Sequence, residues 1–182
     1  LADVPAGYSP LIAPTDFIVE PAAGDDERLE VGILFVGGGP AGLAGAIRLA
    51  QLLETAPDIK AQLGDVPIAV VEKGKYPGAH LVSGAVVNPI AFRALFPDKP
   101  DSEFPFRSGV RGEAVYLLNR TGQTRVPTPP TMKNHGYYSA SLSEIARWLG
   151  EQAESLGITL LNETTAAKVL MKDGAIHGIV TG

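Results

Sequence analysis

Residues 31–42 constrain the fold more than any other stretch of this chain. Val31-Gly32-Ile33-Leu34-Phe35-Val36 is an unbroken apolar run bounded by glycines, the pattern of a strand buried on both faces of a parallel sheet. It leads directly into Gly37-Gly38-Gly39-Pro40-Ala41-Gly42. From Pro40 to about Glu54, the residues Leu43, Ala46, Ile47, Ala50 and Leu53 recur on one face of a helix. A G-x-G-x-x-G is weak evidence alone, because glycine turns are common; between a strand and a helix it reads as a dinucleotide fingerprint. Gly37 permits the tight turn, Gly39 lets the backbone approach a diphosphate, and Gly42 lets the helix pack closely on the sheet. Pro40 falls in the first helical turn, where its missing N–H removes no intrahelical bond, and the free amides there face an anion.

Residues 67–72 read as a second buried strand and complete a βαβ unit. Glu72 ends it, where a carboxylate accepts hydrogen bonds from both ribose hydroxyls of an adenosine half and repels a 2′-phosphate. It lies farther along than the roughly 20 residues of typical units, and a polar connection at 55–66 absorbs the excess. Lys73 and Lys75 are expected to be solvated. Beyond them the sequence predicts a glycine-punctuated loop at 73–87, a short helix at 89–96 and an irregular stretch at 98–111. A hairpin of 113–118 and 123–126 follows, turned around Arg120-Thr121-Gly122.

Ser141 and Glu144 form a capping-box pattern opening a helix whose Ile145, Trp148, Leu149, Gln152 and Leu156 share one side until Gly157. Residues 158–161 are a third parallel strand, and 168–171 with 175–180 a hairpin turned at Asp173-Gly174. Residues 1–30 read as an extended arm anchored by Tyr8, Leu11, Ile12, Phe17 and Ile18, with Asp25-Asp26-Glu27 a solvated turn.

A length of 182 residues fits one domain with its own core. There is no cysteine, which excludes disulfides, thiolate zinc sites and cysteine-ligated clusters within these residues. A net charge of −5 with scattered Lys and Arg argues against nucleic acid. No apolar run reaches the roughly 18 residues of a membrane span. The start on Leu1 shows no signal peptide and suggests a processed or trimmed N-terminus. Among the three histidines, His80 stands in the loop that follows Glu72, His135 in Asn134-His135-Gly136, and His177 in the last hairpin. They are too separated for a metal cluster. No G-x-S-x-G elbow or carboxylate pair supports hydrolase chemistry.

Several motifs together carry a resemblance: Gly37 to Leu43, Glu72-Lys73, Gly78-Ala79-His80-Leu81-Val82-Ser83-Gly84-Ala85, Asn134-His135-Gly136 and Trp148-Leu149-Gly150-Glu151-Gln152-Ala153-Glu154. From about residue 31 to 182 the chain resembles the N-terminal part of the electron transfer flavoprotein-ubiquinone oxidoreductase family. The resemblance implies an α/β, Rossmann-like FAD-binding domain of the glutathione-reductase type, three-layered, with a β-containing insertion at about 97–140 and incomplete at its C-terminus. It implies FAD here, a [4Fe–4S] cluster in a C-terminal part beyond these residues, and electron transfer flavoprotein and ubiquinone or menaquinone as partners. Peripheral contact with an inner membrane, on the bacterial cytoplasmic or mitochondrial matrix face, is implied too. Carried over by position, Gly37, Gly39, Pro40, Ala41 and Gly42 meet the pyrophosphate, Glu72 and Lys73 the ribose region, and Ser83 and Gly84 the flavin side. Ala166, Ala167 and Val169 match the turn whose backbone brackets the adenine. Where related sequences often place an arginine before the helix, this chain has Ser141. Phe104, Phe106, Tyr137 and Tyr138 are read first as packing and second as a quinone- or membrane-facing surface. Two alternatives stand beside this reading: a geranylgeranyl-reductase-like or hydroxylase-like flavoprotein acting on a lipid, and a non-catalytic nucleotide-binding module.

Overall fold

The fold grows outward from the βαβ unit around the glycine turn. In this computed structural model, which describes residues 14–21 and 28–182, a short strand β1 (Ile18–Val19) precedes β2 (Ile33–Val36), helix α1 (Pro40–Glu54), helix α2 (Pro57–Gln62) and β3 (Ile68–Val71). β2 and β3 pair in parallel, with Ile33 opposite Ile68 and Val36 opposite Val71. α1 buries Leu43, Ala46, Ile47, Ala50 and Leu53, the positions its helical period selects. Leu43 and Ile47 are fully buried, and each such side chain contributes about 1.5–3 kcal/mol of apolar transfer.

β2 departs from the expectation of a strand buried on both faces. Among the described residues it pairs with β3 alone, its other edge is open, and Val36 is 61% exposed. The fully buried strand is β3, all four of whose residues are buried. An apolar run does not by itself distinguish a sheet's centre from its edge. The connection at 55–66 also differs, because Pro57 at the first helical position and Asp58 in the first turn start α2 there.

The chain continues through β4 (Gly84–Val87), α3 (Ile90–Leu95), β5 (Phe106–Gly109), β6 (Val115–Leu118), β7 (Gln123–Val126) and β8 (Tyr138–Ser141). β4, β8 and β5 form an antiparallel sheet in that order, so parts of the expected loop at 73–87 and irregular stretch at 98–111 are strands. β6 and β7 make the expected hairpin, with Val115 opposite Val126. Its turn is closed by Asn119, whose Oδ1 accepts from the Thr121 and Gly122 amides at 2.9 and 2.7 Å.

Helix α4 (Leu142–Ser155) leads to β9 (Thr159–Leu161), which pairs in parallel with β3 and sets the sheet order β2-β3-β9. β10 (Ala166–Lys172) and β11 (Ala175–Thr181) form the last hairpin, and Asp173 and Gly174 at its turn have φ of 51° and 77°. β1 adds a parallel edge to β10, Ile18 opposite Val169, so the described end of the arm is a strand. Tyr8, Leu11, Ile12 and the acidic run at 25–27 lie outside the described residues.

The capping box does not form. Ser141 makes no side-chain cap bond, because it is a ladder residue opposite Gly84, while Glu144 is held by Arg107 through bonds of 2.6 and 3.1 Å. α4 buries Ile145 and Leu149 as expected, but also Ala146, Gly150 and Ala153, rather than Gln152 and Leu156. These residues meet α1 together with Ile68 and Val70 of β3 in one core. Ala69 and Val71 alternate to the opposite face and are buried as well.

Trp148 is half-buried against the rings of Phe92, Phe96 and Phe104, with centroids 6.1, 4.9 and 5.8 Å away. Phe104 is buried, Phe106 stacks on Tyr138 at 4.7 Å, and the Tyr138 hydroxyl donates to Asp101 at 2.8 Å. The aromatic residues at 104, 106 and 138 are therefore packing, as first read.

Candidate nucleotide-binding site

The site stands at the C-terminal ends of β2, β3 and β9, where three loops emerge from one parallel sheet. Gly37 has φ of 104°, a left-handed conformation that favours glycine and turns β2 sharply towards α1. A Cβ at Gly37 or at Gly39 would meet no neighbouring group within 4 Å, so the turn is open at these two positions, while the Glu72 side chain stands against Gly38 between them. A Cβ at Gly42 would collide with the Gly37 carbonyl oxygen, which is the close approach of helix to turn read from the fingerprint.

The backbone donors of the turn can be followed one by one. The Gly37 amide donates to the Val71 carbonyl at 2.9 Å, and the Leu43 amide to the Gly39 carbonyl at 3.0 Å. The Gly38 amide donates to Glu72 Oε2 at 2.9 Å. Pro40 has no N–H. The amides of Gly39, Ala41 and Gly42 thus remain without a chain partner among the described residues. They gather at the positive end of a 15-residue helix, a set of donors suited to a diphosphate.

Glu72 points at the turn. Besides Gly38, it accepts from the Gly74 amide through Oε1 at 2.7 Å. Lys73 is exposed beside it. The loop that follows folds back on α4: Gly78 has φ of 87°, and a Cβ there would lie 2.6 Å from the Ser143 carbonyl oxygen. A Cβ at Gly150 would lie 3.0 Å from Pro77 Cγ. Ser83 and Gly84 are exposed where this loop joins β4, and the Ser83 carbonyl accepts from the Leu142 amide at 3.2 Å. His80 is exposed in the same loop, while His135 and His177 lie exposed elsewhere.

The loop after β9 completes the site. The Glu163 amide donates to the Gly74 carbonyl and the Thr164 amide to the Glu72 carbonyl, each at 2.9 Å. Ala166, Ala167 and Val169 follow on β10; Ala166 pairs with Thr181, and Val169 lies between Ile18 and Ile179. Asn162 Oδ1 is a buried side-chain oxygen without a partner among the described residues, next to these bonds in sequence. The sequence reading missed the parts played by Gly38, Gly74, Ala146 and Gly150. The signal for the last two is a pair of small residues four apart on α4, which seats the Pro77-Gly78 loop.

No family model matches the chain. Its curated relatives are informative. A Dictyostelium discoideum protein named electron transfer flavoprotein-ubiquinone oxidoreductase, mitochondrial, is 43% identical over 158 residues, 86% of this chain and 25% of that protein. The protein of the same enzyme name from Pseudomonas aeruginosa is 40% identical over 161 residues, 86% of this chain and 28% of its own length. Over 86% of its length the chain is similar to electron transfer flavoprotein-ubiquinone oxidoreductases. It spans about a quarter of the length of these relatives.

Solved structures agree on the architecture. A geranylgeranyl bacteriochlorophyll reductase-like protein from Thermoplasma acidophilum superposes with a TM-score of 0.55 at 20% identity, over 82% of this chain and 34% of that one. The myxobacterial chondrochloren halogenase CndH, a FAD-dependent halogenase, gives 0.55 at 16%, over 83% of this chain and 32% of its own. At such identities the likeness establishes the fold: α/β, Rossmann-like, of the FAD-binding kind.

Proposed function

We propose that this chain is the FAD-binding portion of an oxidoreductase that passes electrons from electron transfer flavoprotein to a membrane quinone. The observation that carries the cofactor is the open glycine cradle with three free amides and Glu72 turned towards it. The family supplies the direction of electron flow, since its members are named for a flavoprotein donor and ubiquinone. Bound FAD would supply the redox chemistry, and the protein its position and potential.

In this reading Gly39, Ala41 and Gly42 hold the pyrophosphate, with Gly37 and Pro40 shaping the turn. Glu72 accepts from the ribose hydroxyls, and Lys73 borders them. Ser83 and Gly84 lie towards the flavin, and the backbone near Ala166, Ala167 and Val169 towards the adenine. These 182 residues contain no cysteine, so a [4Fe–4S] cluster would be held outside them. Ubiquinone or menaquinone is the acceptor, at an inner membrane met peripherally. Among the described residues no helix is long and apolar enough to cross a membrane. The exposed Leu117 and Leu118 of β6 support an apolar surface contact.

Reduction or oxygenation of a lipid has a likeness of fold behind it, at 20% identity and below, whereas sequence relatives support quinone-linked electron transfer. The test is to mix the chain with FAD, separate it by gel filtration and record the flavin absorbance. Flavin co-eluting at one per chain is expected. Binding of ADP in calorimetry with no flavin retained would instead favour the non-catalytic nucleotide-binding module.

A further inference from the structure

We propose that Glu72 is a positioning residue for the diphosphate: its carboxylate holds the glycine turn in the shape that presents the Gly39, Ala41 and Gly42 amides. This goes beyond accepting ribose hydroxyls, and it rests on the nucleotide reading above.

Glu72 is bonded to all three loops at the end of the sheet. Its amide donates to the Leu161 carbonyl and its carbonyl accepts from the Thr164 amide, both at 2.9 Å. Its side chain accepts from Gly38 at 2.9 Å and from Gly74 at 2.7 Å, one oxygen for each amide. Gly38 follows the sharply turned Gly37 and precedes the helix, so fixing its amide fixes the plane from which the next three residues depart. Gly38 is buried, and a Cβ there would stand 3.1 Å from Glu72 Cβ and Oε2, so a bare backbone is what lets the carboxylate reach it.

The chemistry requires a carboxylate. Bonds from amides to an ionised acceptor are the stronger kind. Two equivalent oxygens serve two donors, whereas a glutamine offers one acceptor and turns an NH2 group to the second amide. Each carboxylate oxygen also keeps lone-pair capacity for a ribose hydroxyl, so the turn and the sugar can be held together.

A ligand without ribose hydroxyls separates the two roles. Calorimetry should compare ADP with 2′,3′-dideoxy-ADP on the wild-type chain, Glu72→Gln and Glu72→Ala. If Glu72 served the sugar alone, Glu72→Ala would bind dideoxy-ADP as well as wild type, or better, because a negative charge has left an anion site. We expect instead that Glu72→Ala weakens dideoxy-ADP by about fivefold or more, with Glu72→Gln between, as for losing a hydrogen bond that matters. In the 15N-labelled chain without nucleotide, the Gly38 and Gly74 amides should exchange about tenfold faster in Glu72→Ala, with far-UV circular dichroism unchanged. Glu72→Gln, which keeps the size of the side chain, decides the matter if Glu72→Ala does not fold. Unchanged dideoxy-ADP affinity in a folded variant, beside normal ADP binding by wild type, overturns this proposal alone. Failure of wild type to bind ADP at all sinks the nucleotide reading and this proposal together.

Discussion

Two regions of the molecule hold themselves together by different means. At the sheet's end, the turn at 37–42 and the loops after β3 and β9 are joined by backbone amides, backbone carbonyls and one carboxylate. Between 84 and 148, strand ladders are tied together by side chains: a ring cluster of Phe92, Phe96, Phe104, Phe106 and Trp148, and the pairs Arg93–Asp101 and Arg107–Glu144. The first arrangement leaves donors free to meet a ligand. The second satisfies its own groups and presents mostly packing. The contrast teaches where substitution should disturb binding and where it should disturb only folding.

The largest expected effect falls on the aromatic region. Phe104 is 4% exposed and lies within 5.3–6.4 Å of four ring centroids, so Phe104→Ala should destabilise the chain by about 3–5 kcal/mol in a denaturant titration. Under conditions where the variant is folded, its ADP affinity should match wild type. A selective loss of ADP binding would show that the two regions are not separate. Gly42→Ala should do the reverse. Its methyl group would press on the Gly37 carbonyl, an overpacking effect of about 1–3 kcal/mol on stability, while ADP affinity falls by roughly 100-fold as charge-assisted bonds are lost. Equal ADP affinity in Gly42→Ala would break the assignment of the cradle.

The same contrast explains what was legible in the sequence. The turn announced itself because its parts are contiguous: strand, glycines and helix follow one another from Ile33 to Glu54, and local sterics decide each. Asp173-Gly174 was legible for the same reason. The sheet of β4, β8 and β5 was not, because Gly84 must find Ser141 and Phe106 must find Ala140 across long separations. Nothing in Gly-Ala-Val-Val or Tyr-Ser-Ala-Ser announces such a partner. The capping box misled because Glu144 had a better partner in Arg107, which stands 37 positions away. The bond from Gly38 to Glu72 also lay beyond local reasoning, although both residues had been singled out with the turn and the strand end. Burial at Ala146, Gly150 and Ala153 went unread because small residues carry little hydropathic signal, yet they let the Pro77-Gly78 loop and α1 approach α4.

A smaller effect is expected on acidification. The bidentate hydrogen bonds from Arg93, with that from Tyr138, hold the Asp101 carboxyl down from the ordinary 3.8 to about 2. A carboxylate whose folded value is depressed stabilises the fold fully above its unfolded value and loses that contribution as pH falls through the folded one. The Arg93–Asp101 contribution should thus be complete above about pH 4 and disappear towards pH 2. Trp148 fluorescence during acid titration of wild type and Asp101→Asn checks this, since Asp101 begins the turn that places Phe104 against the indole. Asp101→Asn should lack that portion of the acid dependence. An identical acid profile would assign the bridge no energetic role.

The smallest effect belongs to Arg107 and Glu144. Their bond is short, and it lowers the Glu144 pKa through direct hydrogen bonding, but the side chains are 65% and 47% exposed. Water and salt screen such a pair, and two long side chains lose freedom in forming it. A double-mutant cycle with Arg107→Ala and Glu144→Ala should give a coupling close to nil at physiological salt. It should emerge only as the ionic strength is lowered. A substantial, salt-insensitive coupling would mean that the start of α4 is anchored by this pair. In that case the helix carrying the Pro77-Gly78 seat would depend on side-chain electrostatics, and the division between a backbone-built site and a side-chain-built flank would have to be redrawn at Ser141.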